Sequence, residues 1–145
     1  MPQQDTSLGT WEHQRQQALR SFMDALEAGG LDLDADPLAF LPYLNRFLAD
    51  QDYADFDQDD WRYLHTVLAA YIADVLIRTH GAHWRLRHDS RGPNYMLVNT
   101  GVDGREYETS PMDVVYFGLK DLPPNATRMM AAAELTADVV PRYDG

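Results

Sequence analysis

Apolar residues recur every three or four positions over roughly the first eighty residues and every second position from His83 to about Thr109. This change of period is the main structural signal in the chain. From Thr10 to Ala28, "TWEHQRQQALRSFMDALEA", the residues Trp11, Ala18, Leu19, Phe22, Ala25 and Leu26 share one helical face, with Thr10 placed to cap the start and Gly29-Gly30 to stop it. A second helix is expected from Asp36, with Asp34 or Asp36 as cap, Pro37 in the first turn and a stripe of Leu38, Leu41, Leu44 and Leu48. Pro42 interrupts that stripe, so the helix should be short, kinked or late to begin.

The strongest pattern runs from about Asp59 to His80. Trp61, Leu64, Leu68, Tyr71 and Val75 form a seam that Val67, Ile72, Leu76 and three alanines widen until little polar face remains. It predicts a central, largely buried helix, with Asp74 and Arg78 paired four residues apart and Gly81 as the C-cap.

The period of two then takes over. "HWRLRH" (83–88), "NYMLVNT" (94–100) and "REYET" (105–109) read as three antiparallel strands joined by the turns "DSRGP" and "GVDG". A five-residue first loop pairs Leu86 with Met96 and Trp84 with Val98, and a four-residue second loop pairs Val98 with Tyr107. In that register Trp84, Leu86, Met96, Val98 and Tyr107 pack on the long helix, while Arg85, Arg87, Tyr95, Leu97, Glu106 and Glu108 form the outer face. The run "MDVVYFGL" after Ser110-Pro111 fits a short helix or a fourth strand, and Asn125 caps a last helix, "ATRMMAAAELTADVV". The expected fold is therefore a single α+β domain over residues 1–145: N-terminal helices, one long central helix on a three- to four-stranded antiparallel meander, and a C-terminal helix. About eight residues at the N-terminus and five at the C-terminus are expected to be loose.

Composition changes this picture little. With 145 residues, 45% hydrophobic content and three Trp, eight Tyr and five Phe, the chain can bury one core. No cysteine is present, which excludes disulfides, thiolate metal sites and cysteine nucleophiles. The start "MPQQDTSLGTWEHQ" has no basic and apolar leader pattern, and no run of about eighteen apolar residues occurs, so a cytoplasmic protein without a membrane partner is expected.

Charge says more. The net charge is −11, and residues 1–60 carry 13 acids against 3 arginines, leaving 10 acids and 9 basic residues for 61–145. So acidic a first part repels phosphate and excludes nucleic acid as a direct partner. The densest stretch, Asp50 to Trp61, "DQDYADFDQDDW", holds six aspartates. Asp55, Asp57 and Asp59 stand at the first, third and fifth places of a calcium loop, but Asp60 occupies the sixth, which needs glycine, and Thr66 the twelfth, which needs glutamate. "DLDADP" (32–37) fails the same test at Pro37 and Tyr43. Aspartates here cap the start of the long helix; one or two suffice for that, and the surplus serves either solubility or a basic partner.

Other chemistry is sparse. His80, His83 and His88 lie too far apart in direction for a zinc site, since alternation turns His83 outward while His80 ends a helix. His65 sits within the long helix, beside Trp61 and Leu68, as a core or boundary histidine. No nucleophile elbow and no phosphate-cradling glycine loop occurs, and no cofactor is implied.

The segments "YIADVLIRTHGAHWRLRHDSRGPNYMLVN" and "SPMDVVYFGL" resemble small uncharacterised bacterial domains in which a helix carrying tyrosine, Gly-Glu and a final glycine leads into a tryptophan strand and a meander. Here Ala73-Asp74 stands where those domains have Gly-Glu. The resemblance implies an α+β fold and, since some of those domains are immunity or accessory proteins of bacterial conflict loci, a role of that kind. The expectation is a non-enzymatic protein-binding module that docks a partner protein, or a second copy of itself, through Asp50, Asp52, Asp55 and Asp57 or through Arg85, Arg87, Tyr95 and Leu97. The alternative is a small enzyme or ligand-binding domain with a pocket between helix and sheet, using His65 or His83 with Asp74 as acid and base.

Overall fold

A computed structural model describes residues 3–90 and 92–139. Helix α1 spans Gln3–Ala25, α2 Leu41–Ala49 and α3 Gln58–His80; strands β1 (His83–Asp89), β2 (Gly92–Thr100) and β3 (Glu106–Thr109) follow, then α4 (Pro111–Gly118) and α5 (Ala126–Thr136). This is the expected α+β architecture, with three strands in the order β1-β2-β3 and the run after Pro111 resolved as a helix. Among the described residues no helix is long and apolar enough to cross a membrane.

The caps explain most of the boundaries. Asp57 accepts from Asp60 N at 2.8 Å while the Asp60 carboxylate accepts from Asp57 N at 3.1 Å, a reciprocal box that starts α3 one residue earlier than the apolar pattern suggests. Gly81 ends it at φ 71, a left-handed conformation that favours glycine. Pro42 displaces the second helix as expected: Asp36 caps a 3-10 turn over Pro37–Phe40, and the α-helix begins only at Leu41. Ser110 and Asn125 cap α4 and α5. Helix α1 departs most, since Thr10 lies inside it rather than at its cap and the helix reaches back to Gln3. Of the ends expected to be loose, residues 3–8 belong to α1, whereas 1–2 and 140–145 lie outside the described residues.

Helix α3 is the axis of the core. Leu64, Val67, Leu68, Ala70, Tyr71, Ile72, Ala73, Val75 and Leu76 are all buried, against Leu19 and Phe22 of α1, Leu44 and Leu48 of α2, Val115 of α4 and Met129 and Ala133 of α5. Phe40, absent from the leucine stripe, is fully buried, with its ring 5.4 Å from Tyr71.

The sheet register corrects the expected one. Trp84 pairs with Leu97 and Leu86 with Tyr95, and Asp89 pairs with Gly92, so that two residues rather than five separate β1 from β2. Between β2 and β3 the pair Thr100 and Glu106 leaves five residues rather than four, and Val98 faces Glu108. Each connection differs from expectation by an odd number, so each slips the pairing by one. The two slips cancel for the outer strands: Arg85, Arg87, Glu106 and Glu108 keep their shared face. They do not cancel for the middle strand, which is inverted. Tyr95 and Leu97, expected outside, lie on the side of Trp84, and Leu97 is fully buried; Met96 and Val98 take the other face.

Candidate functional site

Two surfaces concentrate chemistry. The first is built by the acidic stretch. Asp52 caps a second 3-10 turn, Tyr53–Asp55, by accepting from Ala54 N at 3.2 Å, and Asp57 caps α3. This bend carries the chain from α2 to α3 and leaves an open groove of about 380 Å³ between them, lined by Phe47, Gln51, Asp52, Asp55, Phe56, Asp60, Tyr63 and Leu64. A shallower hollow continues it past Phe47 and Gln51 to Asp50, Arg46, Tyr43 and Glu27. Phe56 packs on Tyr53 and Trp61 at centroid distances of 4.9 Å each, which fixes the aromatic floor. Burial pushes the Tyr53 phenol up to about 12, and its hydroxyl donates to Leu48 O at 2.6 Å. Among the described residues no arginine or lysine forms an ion pair with Asp50, Asp52, Asp55, Asp57 or Asp60; the one pair in the stretch joins Arg62 to the exposed Asp59 at 3.6 Å.

The second surface is a cleft of about 260 Å³ between α1 and the inner face of the sheet, lined by Trp11, Gln14, Arg15, Thr66, Ala69, Trp84, Tyr95, Pro111 and Met112. Inversion of β2 creates it by turning Tyr95 toward Trp11, with the rings stacked at 4.5 Å; Trp84 meets Trp11 edge-on at 4.6 Å. The Arg15 guanidinium lies 5.7 Å from the Trp11 ring and 5.1 Å from the Trp84 ring. Buried arginine in the middle of an apparently amphipathic helix is a feature that the sequence pattern missed. It is held by Ala70 O at 2.7 Å and by Glu12 at 2.6 Å.

From Arg15 a polar seam runs between α1 and α3. Gln16 donates to Glu12 and, at 3.1 Å, to Asp74, which accepts in turn from Arg78 Nε at 2.8 Å; Arg78 also pairs with Asp34. The expected Asp74 and Arg78 pair is present, but Asp74 is buried rather than on an exposed face. Burial is the main cause of its raised pKa, assisted by the Glu12 charge and opposed by the Gln16 hydrogen bond and Arg15.

The groups of the enzymatic alternative do not meet. The His65 ring nitrogen lies 2.7 Å from Met112 O, His83 is exposed on the outer sheet face opposite Val98, and Asp74 is enclosed in the α1–α3 seam. Neither the cleft nor the groove is lined by any of the three. His80 bonds Glu134 at 2.8 Å, away from the outward-facing His83. Among the described residues no group of three or more His, Asp or Glu side chains is arranged to hold a metal ion.

The outer sheet face is internally matched. Arg87 pairs with Glu108 at 2.9 Å, and Arg85 spans Glu106 at 3.5 Å and Glu108 at 3.8 Å. Without Tyr95 and Leu97 it lacks the apolar anchors expected of it. A different apolar ridge stands on α4: Met112, Tyr116 (53% exposed) and Phe117 (64% exposed) point outward, with Lys120 Nζ 4.7 Å and 5.2 Å from the two rings. These surfaces define an α+β domain with an acidic aromatic groove and a separate aromatic cleft. No family model matches the chain, and neither a curated protein nor a solved structure is significantly similar to it.

Proposed function

We propose that this chain is a non-enzymatic protein-binding module that holds a basic segment of a partner protein in the groove between α2 and α3. The observation that supports this reading is the pairing state of the groove: Asp52, Asp55 and Asp60 line it beside Phe47, Phe56 and Tyr63, Asp50 lines the adjoining hollow with Arg46, and among the described residues no arginine or lysine is in ion-pair contact with any of the four. Carboxylates at such spacing repel one another, and a lysine or arginine arriving between them relieves that repulsion while its aliphatic stem covers the rings. Asp57 serves chiefly as the α3 cap, and the self-paired Arg85 and Arg87 contribute little net charge for a partner. Leu97 is buried and takes no part. An accessory or immunity-like role in a bacterial conflict system is the setting that the resemblance implies.

The test begins with partners captured from a bacterial lysate and identified by mass spectrometry, then measures association at two salt concentrations. Asp50→Asn, Asp52→Asn and Asp55→Asn together should slow association several-fold and flatten its salt dependence, because steering acts on the on-rate and is screened over about 10 Å at 0.1 M ionic strength. Asparagine keeps the Asp52 turn capped, so folding should be unaffected. An on-rate unchanged at low salt would remove the groove from the binding surface.

A further inference from the structure

Helix α4 carries apolar side chains on two opposite sides, and the protein covers only one of them. On the inward side Pro111 and Val115 are buried, and Gly118 lies so close to Met129 of α5 that an added Cβ would meet it at 2.6 Å. On the outward side Asp113, Tyr116, Phe117 and Lys120 fall within about 100° of the circumference at 3.6 residues per turn. Leu119 keeps right-handed helical backbone and Lys120 N donates to Phe117 O at 3.3 Å, so the turn carries on to Lys120 past the end of the regular helix. The Lys120 ammonium, 4.7 Å and 5.2 Å from the Tyr116 and Phe117 rings, shares their face. A helix that is apolar on both sides is normally covered on both, and two adjoining rings in water forfeit that burial. None of these residues lines the groove between α2 and α3, so what covers them is a question separate from the binding of a basic segment there.

The order of the charges along the face says what covers it. Asp113 stands three residues before Tyr116, and Lys120 three residues after Phe117; both are exposed. Roughly 10 Å of helix axis parts them. A face that reads acid, ring, ring, base is its own complement when turned end for end. Laid antiparallel on a second copy, about a two-fold axis between Tyr116 and Phe117, it brings rings onto rings and sets Asp113 against Lys120 at both ends of the contact. Laid parallel, it would set like charges against each other. We infer that α4 is the contact of a symmetric homodimer, in which the outward faces of two antiparallel α4 helices pair, with Asp113 of each copy against Lys120 of the other. Exposed lysine side chains change rotamer within nanoseconds, so Lys120 moves from its own rings to that carboxylate without disturbing the fold. A contact centred on one eight-residue helix buries less than about 1,000 Å², the size class of weak, reversible association. The net charge of −11 on each copy opposes it at long range.

The test is sedimentation velocity of the full-length protein from about 10 μM to 1 mM, the range in which an interface of this size associates. The weight-average mass should rise reversibly with concentration toward that of two chains and stop there. Tyr116→Ser with Phe117→Ser, both at exposed positions, should leave a monomer throughout. Lys120→Asp should weaken the dimer about three- to tenfold, since the symmetry repeats the lost pair and the new repulsion twice. Asp113→Lys should weaken it as much, although it lowers the net negative charge by two and would strengthen association if general repulsion alone were at work. An equimolar mixture of these two variants should associate as tightly as the wild type, because every end of the contact again joins opposite charges. The triple asparagine variant of the groove should dimerise normally, which separates this contact from the groove. If Asp113→Lys does not fold, the serine pair and Lys120→Asp carry the test. A monomer up to 1 mM, growth beyond two chains, a mixture no tighter than either variant alone, or a dimer indifferent to the serine pair would each overturn the inference.

Discussion

Arg15 of α1 donates to the carbonyl oxygen of Ala70, 2.7 Å away in the middle of α3, and so ties the first helix to the central one through a buried guanidinium. The other arm of the same group holds Glu12, which leaves α1 bound to α3 by a charged seam rather than by leucine packing alone. Truncation of Arg15 to alanine would strand Glu12 and empty the space beneath two tryptophans. It should cost about 3–5 kcal/mol in urea unfolding, whereas Arg15→Met combined with Glu12→Gln should cost much less, because a buried ion pair is often replaceable by apolar packing but not by half of itself. Equal losses for the two variants would show that packing, not the unpaired charge, dominates.

The register of the middle strand can be read from two neighbouring substitutions. Leu97 is fully buried and Met96 half-buried on the opposite face. Leu97→Ala should cost about 2–5 kcal/mol and Met96→Ala no more than about 1 kcal/mol. The reverse order would restore the pairing of Leu86 with Met96.

Asp74 makes stability depend on pH in an unusual direction for a carboxylate with an arginine neighbour. Its folded pKa is raised above 3.8, mainly by burial, so its charged form is disfavoured in the fold. The stabilisation belongs to the protonated form: it is complete below the unfolded pKa of about 3.9 and is lost as pH rises through the higher folded value. Measured against Asp74→Asn, which cannot titrate, the wild type should therefore gain relative stability as pH falls from neutral toward 4. A relative loss over that interval would mean that Arg78 outweighs burial.

The reciprocal cap at the start of α3 gives the fourth test. Asp57→Ala removes the acceptor for Asp60 N and should lower stability by about 0.5–2 kcal/mol, while Asp57→Asn should retain most of it. The neighbouring Asp55, which makes no cap, should tolerate alanine within about 0.5 kcal/mol.

These residues also mark what the sequence made legible. Caps and periodicity are local, and Asp36, Gly81 and Asn125 act where the pattern places them. Asp74 and Arg78 were readable as a pair because their spacing is local too, but their burial depends on where α1 and the Asp34 loop pack, which no local pattern contains. Arg15 was invisible for the same reason. The register is not legible because "DSRGP" has the composition of a loop throughout, whereas Gly92 at φ 105 lets β2 begin within it, which turns Tyr95 toward Trp11 and forms the aromatic cleft. The groove fared better: its acids are contiguous in sequence, although Phe47 and Tyr63 join them only through the fold.

The Asp89 and Gly92 pairing has a consequence for how this chain can change length. Trp84, Leu97 and Thr109 lie in one row across the sheet, and the row exists only while the turn keeps its parity. A single inserted residue between β1 and β2 would move Leu97 to the face that carries Arg85 and Glu108 and bring Met96 and Val98 to the face of Trp84, whereas a two-residue insertion would leave every side chain on its present face. Descendants of this sequence should thus tolerate insertions at this hairpin in pairs, and single insertions only where a bulge absorbs the odd residue.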